Sequence, residues 1–256
     1  MSKGSFTAVA TIGLSMVLAQ GAVVQAAEVR VIAGSALSPV LGELGPQFER
    51  ATGHKLVIQY GIIGSMKRQI ESGEAFDLAI LNVGLMNDVT NQGKIVAATR
   101  TEIARTGIAV SARAGAPKPD ISSADAFKRA LLNAKSVAYA PEGATGTHLA
   151  KVFDQLGISE QMKAKTKPQQ STDGIVQAVA SGEAELGFAL PTVFLSGRGV
   201  ELVGPFPSEL QNYVVFTAGV GSAATQPDAA KALIRHLTAP NAVPVLKAKG
   251  MEPVAQ

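Results

Sequence analysis

From Glu28 onward, short apolar runs alternate with stretches of helical spacing along almost the whole chain, and this alternation limits the fold more than any other feature. EVRVIAG (Glu28 to Gly34) reads as a buried strand, and Pro39 to Ala51 then carries Leu41, Leu44, Phe48 and Ala51 at helical spacing. KLVIQY (Lys55 to Tyr60) is a second strand, followed by a helix that opens at Ser65 and closes at Gly73. DLAILN (Asp77 to Asn82) is a third strand, with a short helix ending near Gly93, and TGIAVSA (Thr106 to Ala112) is a fourth. Strands that alternate with helices form mostly parallel sheets covered on both faces, the α/β class.

RAGAPKPDIS (Arg113 to Ser122) breaks the pattern with Pro and Gly and is the natural linker. A second α/β series follows. It has a helix from Ser123, strands at Ser136 to Ala140, Leu186 to Leu190 and Val200 to Gly204, and helices at Thr147 to Leu156 and Gly174 to Ser181. GPFPSELQ punctuates again before the strand Asn212 to Val220 and two final helices, Pro227 to Leu237 and Asn241 to Lys249. Two breaks predict two lobes: residues 27–112 with 214–256 as the first, and 113–213 as the second. Ligands in open α/β sheets bind beyond the carboxyl ends of the strands, so the cleft between the lobes is the expected site.

The first 26 residues read as an export signal. Lys3 supplies a positive start, Phe6 to Leu18 is apolar and uncharged, and Val24 and Ala26 are the small residues before a cut ahead of Ala27. The apolar run is too short to anchor the chain in a bilayer. With no Cys to lipidate, the mature protein is expected in the periplasm.

Composition removes several functions. A net charge of +3, spread without a Lys/Arg block, gives no nucleic-acid or membrane surface. The absence of Trp and an aromatic content of 5% disfavour sugar or base stacking. Without Cys there is no thiolate chemistry, and His54, His148 and His236 lack metal-ligand spacing. No nucleotide-binding glycine pattern occurs, so neither metal nor cofactor is expected.

Four strand-to-helix turns are instead built from small residues: AGSAL at Ala33, GIIGSM at Gly61, PEGATGTH at Pro141 and STDG at Ser171. A helix start carries free N–H donors and partial positive charge, so several converging starts form an anion site. Ser35, Gly64, Ser65, Thr145, Gly146, Thr147 and Thr172 are the candidate ligand residues. Ser and Thr are also the ordinary N-caps of helices, and each turn taken alone is explained by capping. Arg105, read as preceding the fourth strand, is a candidate clamp for a carboxylate. His148 opens a helix and is read as a cap or a solvated residue, while His54 and His236 are read as surface residues.

The segments AGSALSPVLGELGPQFERATGHKL, GSMKRQIESGEAFDLAIL, GEAELGFAL and ALIRHLTAPNAVPVLKAKGMEP together resemble the molybdate-binding-type periplasmic solute-binding proteins. That resemblance implies the type II periplasmic-binding fold. It also implies a monomer closing over a small anion and delivering it to an inner-membrane permease and its ATPase. Family members present Ser in the first turn, Ser in the second and a Tyr hydroxyl after the late strand; the matching positions here hold Ala36, Ile63 and Leu190. Ser35 and Ser65 lie one and two residues away. This departure from the family's hydroxyls points away from molybdate to an organic carboxylate, its carbon skeleton facing Ile62, Ile63 and Leu190. The alternative on the same fold is a periplasmic isomerase of a small polycarboxylate, of the aconitate isomerase kind. Its base would be His148, Glu142 or Tyr60, with Arg105 stabilising the developing charge.

Overall fold

The computed structural model describes residues 26–254; the expected signal, apart from Ala26, lies outside them. The chain folds into two α/β lobes, each built on its own sheet. The first sheet contains β1 (Glu28–Gly34), β2 (Lys55–Gly61), β3 (Leu78–Asn82), β4 (Thr101–Thr106), β10 (Val214–Val220) and β11 (Glu252–Pro253), in the order β11-β4-β10-β3-β1-β2. The second contains β5 (Ala109–Arg113), β6 (Val137–Tyr139), β7 (Thr166–Pro168), β8 (Leu186–Ala189) and β9 (Val200–Pro205), in the order β7-β6-β8-β5-β9.

Period-2 alternation dictates the layers of the first lobe. Val29, Val31 and Ala33 of β1 join the cluster that also holds Leu41, Leu44 and Phe48 of α1 (Ser38–Thr52). Leu233 and Leu237 of α9 (Pro227–Thr238) and Leu246 of α10 (Val243–Ala248) complete that face. Ile32, on the opposite face, packs with Met66 and Ile70 of α2 (Ile63–Glu71) and with Met86 and Val89 of α3 (Val83–Asn91). In the second lobe, α4 (Ala124–Asn133), α5 (Ala144–Leu156) and α6 (Ser159–Lys165) supply Phe127, Leu149, Phe153 and Met162 to one cluster. Ile175 and Val179 of α7 (Thr172–Ser181) and Phe194 of α8 (Pro191–Leu195) belong to the other.

The sheets are mixed. β1 runs parallel to β2 and β3, and β6 parallel to β7 and β8. β10 is antiparallel to both β3 and β4, and β5 antiparallel to both β8 and β9. The reversed strands adjoin the two passages of the chain between lobes, where a strand enters a sheet from the far side.

The apolar stretch read as one strand from Thr106 is in fact two. β4 ends at Thr106, the chain crosses at Gly107–Ile108, and β5 joins the second sheet. The Pro- and Gly-rich segment read as the linker therefore lies inside the second lobe, Arg113 ending β5 and Ala114 to Ser122 forming the loop after it, and is not the crossing. The crossing itself is clasped by Gln211, on the return passage, which accepts from Ile108 N at 2.7 Å and donates to Ile108 O at 3.0 Å. His54 is buried rather than at the surface: its Nδ1 accepts from Ala27 N, and its ring lies 5.9 Å from that of Phe48. His236 is partly buried and reaches the Leu44 carbonyl. Among the described residues no helix is long and apolar enough to cross a membrane.

Candidate functional site

Between the lobes lies a cavity of about 90 Å³, walled by strand ends and the helix starts that follow them. Gly34, Gly61 and Asn82 stand at the carboxyl ends of β1, β2 and β3, and Ala140 and Ala189 at those of β6 and β8. Phe188 and Phe216 contribute apolar surface. Among the described residues, none that lines the cavity carries a titratable side chain.

The helices begin two or three residues earlier than their turn residues suggested: α2 at Ile63, α5 at Ala144 and α7 at Thr172. The starts of α2 and α5 carry no side-chain cap, because Ile62 and Gly143 occupy the N-cap positions. Their first intrahelical bonds are Met66 N to Ile62 O and Thr147 N to Gly143 O. The preceding N–H groups, those of Ile63, Gly64 and Ser65 and of Ala144, Thr145 and Gly146, have no acceptor in their helices. Such donors carry partial positive charge. Gly146 allows α5 to start this close to the strand end, since a methyl there would lie 2.3 Å from the Ala140 carbonyl oxygen.

Ser35, Thr145 and Thr172 line the cavity, and among the described residues their hydroxyls make no hydrogen bond to protein. The lining also contains Ala36, Ile63 and Leu190, the three positions where the resemblance called for hydroxyls. Ser65 does not substitute for them. Its hydroxyl donates to the Ile62 carbonyl at 2.9 Å, a local bond within the helix start. Thr147 likewise turns back to the Gly143 carbonyl at 3.1 Å. Gly64 lies against Glu142 rather than against the cavity.

The candidate clamp and bases lie elsewhere. Arg105 is within β4, not ahead of a strand; its Nε donates to Glu252 Oε2 at 2.8 Å, and its Nη2 forms an ion pair with the same oxygen at 2.8 Å. Its guanidinium also stands 5.1 Å from the Tyr213 ring centroid. His148 donates through Nε2 to the Leu210 carbonyl at 2.8 Å. Glu142 pairs with Arg68 at 3.1 Å. Tyr60 does not line the cavity, and burial pushes its phenol pKa up, which disfavours the phenolate a base would need. Among the described residues no His, Asp and Glu cluster could hold a metal ion.

Residues 29–252 match the model of the bacterial extracellular solute-binding protein family. The chain belongs to that family. Curated relatives of this solute-binding protein include the aconitate isomerase of a Pseudomonas species, 30% identical over 88% of this chain and 87% of that protein. The molybdate-binding protein ModA of Azotobacter vinelandii is also 30% identical, over 88% of this chain and 90% of its own length. Among solved structures, the A. vinelandii periplasmic molybdate-binding protein superposes with a TM-score of 0.75 at 22% identity, covering 89% of this chain and 100% of that one. The sulfate-binding protein SubI of Mycobacterium tuberculosis gives 0.73 at 17% identity, covering 89% and 87%. These likenesses establish the two-lobed type II periplasmic-binding fold.

Within this solute-binding frame, Asn82 is the cavity residue that sequence reasoning missed. Its Oδ1 accepts from Leu85 N at 3.0 Å and caps α3, and the residue lines the cavity. The signal was available: an Asn ending an apolar strand just before a helix is a typical N-cap. Donors without counter-charge, set among isoleucine, leucine and phenylalanine, suit a ligand that is anionic at one end and hydrocarbon at the other.

Proposed function

We propose that this protein captures a small organic carboxylate in the interlobe cavity, in the periplasm, as a monomer serving a permease and its ATPase. The observation that carries this reading is that Ala36, Ile63 and Leu190 all line the cavity, and none can donate a hydrogen bond from its side chain. A tetrahedral oxyanion buried there would lack three donors. At about 1 kcal/mol or more for each unpaired oxygen, the deficit exceeds roughly 3 kcal/mol, or a hundredfold in affinity. A carboxylate has two oxygens, which the starts of α2 and α5 with the Thr145 and Ser35 hydroxyls suffice to meet. The apolar positions then contact carbon.

The export signal read at the N-terminus supports the location. A structural neighbour described as the substrate-binding domain of a putative molybdenum ABC transporter from Clostridium difficile supports the partners. The test is a thermal-shift panel of molybdate, tungstate, sulfate, phosphate and mono-, di- and tricarboxylates. Carboxylates should raise Tm and oxyanions should not; the reverse pattern overturns the proposal.

A second reading, isomerisation of a small polycarboxylate, is favoured by the relative named aconitate isomerase. It needs a base beside the reacting carbon, and the lining offers no titratable group. Incubation with cis-aconitate followed by NMR separates the two. Appearance of the trans isomer establishes the enzyme, and an unchanged spectrum with a raised Tm supports the binder.

A further inference from the structure

The cleft does not end at the cavity just described. A second cavity, of about 330 Å³, shares Ser35, Thr172 and Val193 with the first and continues outward between the lobes. Its character differs. Ser38 comes from the first lobe, and Asp173, Gln177, Ser196 and Arg198 come from the second. None of these side chains has a hydrogen-bond or ion-pair partner among the described residues.

Among the described residues Arg198 is the only cation lining either cavity, and its backbone is held in place. It sits between Gly197 and Gly199 in the turn from α8 to β9, and Gly199 adopts a φ of 78° that other residues rarely take. The turn is pressed onto α7: a methyl at Gly197 would lie 3.0 Å from Val176 Cγ1, and one at Gly199 would lie 3.0 Å from Ala180 Cβ. Gly197 N also donates to the Phe194 carbonyl at 3.1 Å. The α7 helix thus supplies Thr172 to the wall shared by both cavities and braces the turn that presents Arg198.

We infer that the second cavity is a subsite for a second anionic group, so that the preferred ligand is a dicarboxylate or higher polycarboxylate with one end among the helix starts and the other at Arg198. This inference rests on the carboxylate reading above. A guanidinium matches a carboxylate in shape and donor number, and here it has no competing protein partner. Asp173 shares the subsite and opposes a second carboxylate by like charge. Selectivity is then set by the balance of Arg198 against Asp173, while affinity for the first carboxylate is set in the inner cavity.

The test measures Kd by calorimetry for straight-chain dicarboxylates of three to six carbons and for the monocarboxylates of equal length. At least one dicarboxylate should bind wild type several-fold more tightly than its monocarboxylate partner. Arg198→Ala should bring that ratio near one without changing monocarboxylate affinity, and Asp173→Asn should raise it. Unchanged melting temperatures without ligand would confirm that both variants fold. Equal mono- and dicarboxylate affinities in wild type, or an Arg198→Ala that weakens both alike, would overturn the subsite alone. Failure of every carboxylate to bind wild type would instead overturn the reading beneath it.

Discussion

Arg68 of α2 and Glu142, in the turn leading to α5, form an ion pair 3.1 Å apart that joins the first lobe to the second. The α2 backbone closely approaches the Glu142 side chain at the same place. A methyl on Gly64 would lie 2.2 Å from Glu142 Oε2 and 2.9 Å from its Cβ, so any larger residue there would displace the Glu142 side chain. The pair links the two elements whose uncapped starts wall the cavity.

Because both side chains are more than half exposed or close to it, at 66% and 50%, the bridge contributes about 1 kcal/mol at most. Arg68→Ala should therefore raise ligand Kd by no more than about fivefold, through faster dissociation in stopped-flow experiments. The difference from wild type should shrink in high salt. Arg68→Glu should cost more, and adding Glu142→Arg should restore closure. A double variant no better than Arg68→Glu would show that the pair does not hold the lobes together.

Restoring hydroxyls tests the ligand argument from the opposite side. Ala36→Ser, Ile63→Ser and Leu190→Tyr together return donors to the three lining positions that lack them. The triple variant should gain a Tm increase with molybdate that wild type lacks, and should bind carboxylates more weakly as apolar contact is lost. If molybdate still gives no shift, the missing hydroxyls are not what excludes it.

Much of this architecture was legible because it is local. The strands around Val31, Ile58 and Ile80 announce themselves as short apolar runs, and the helix containing Leu41, Leu44 and Phe48 by its spacing. What failed was non-local. Arg105 looked available because its partner, Glu252, is 147 residues away and pairs with it only once β11 docks on β4. β5 looked like part of the first lobe because the crossing consists of only Gly107 and Ile108, whereas the Pro-rich loop that follows is more conspicuous in sequence. At the site, the turns were legible as turns. The side chains that face the cavity were not, since the Ser65 and Thr147 hydroxyls turn back to donate to the Ile62 and Gly143 carbonyls while those of Thr145 and Thr172 line the cavity.

Thr217 in β10 is buried, and its hydroxyl has no hydrogen-bond partner among the described residues. Valine has nearly the same shape and removes the unmet polar group. Thr217→Val should raise stability by about 1 kcal/mol, read as a higher denaturant midpoint with an unchanged slope. A loss of stability would mean that an ordered water satisfies the hydroxyl.

Asp77 should contribute to stability in a way that acid removes. It is fully buried at the start of β3 and accepts from Arg30 N at 2.8 Å, Thr225 N at 2.7 Å and Gln226 N at 3.0 Å, and from the Thr225 hydroxyl at 3.0 Å. These bonds tie β1 and β3 to the segment leading into α9. Burial raises the carboxyl pKa, but the backbone donors outweigh it and hold the group below its ordinary value of 3.8. A depressed folded-state pKa means that the stabilisation is fully present above the unfolded value and is lost as pH falls through the folded one. Asp77→Asn places an amide donor against backbone donors and should cost about 3 kcal/mol at neutral pH. In urea melts, the gap between wild type and variant should stay constant from pH 7 to about pH 5 and narrow below pH 4. The residue lies at the opposite end of β3 from Asn82, so ligand Kd at neutral pH should not change. A gap that stays constant down to pH 2 would mean that the ionised carboxylate is not the source of the stability.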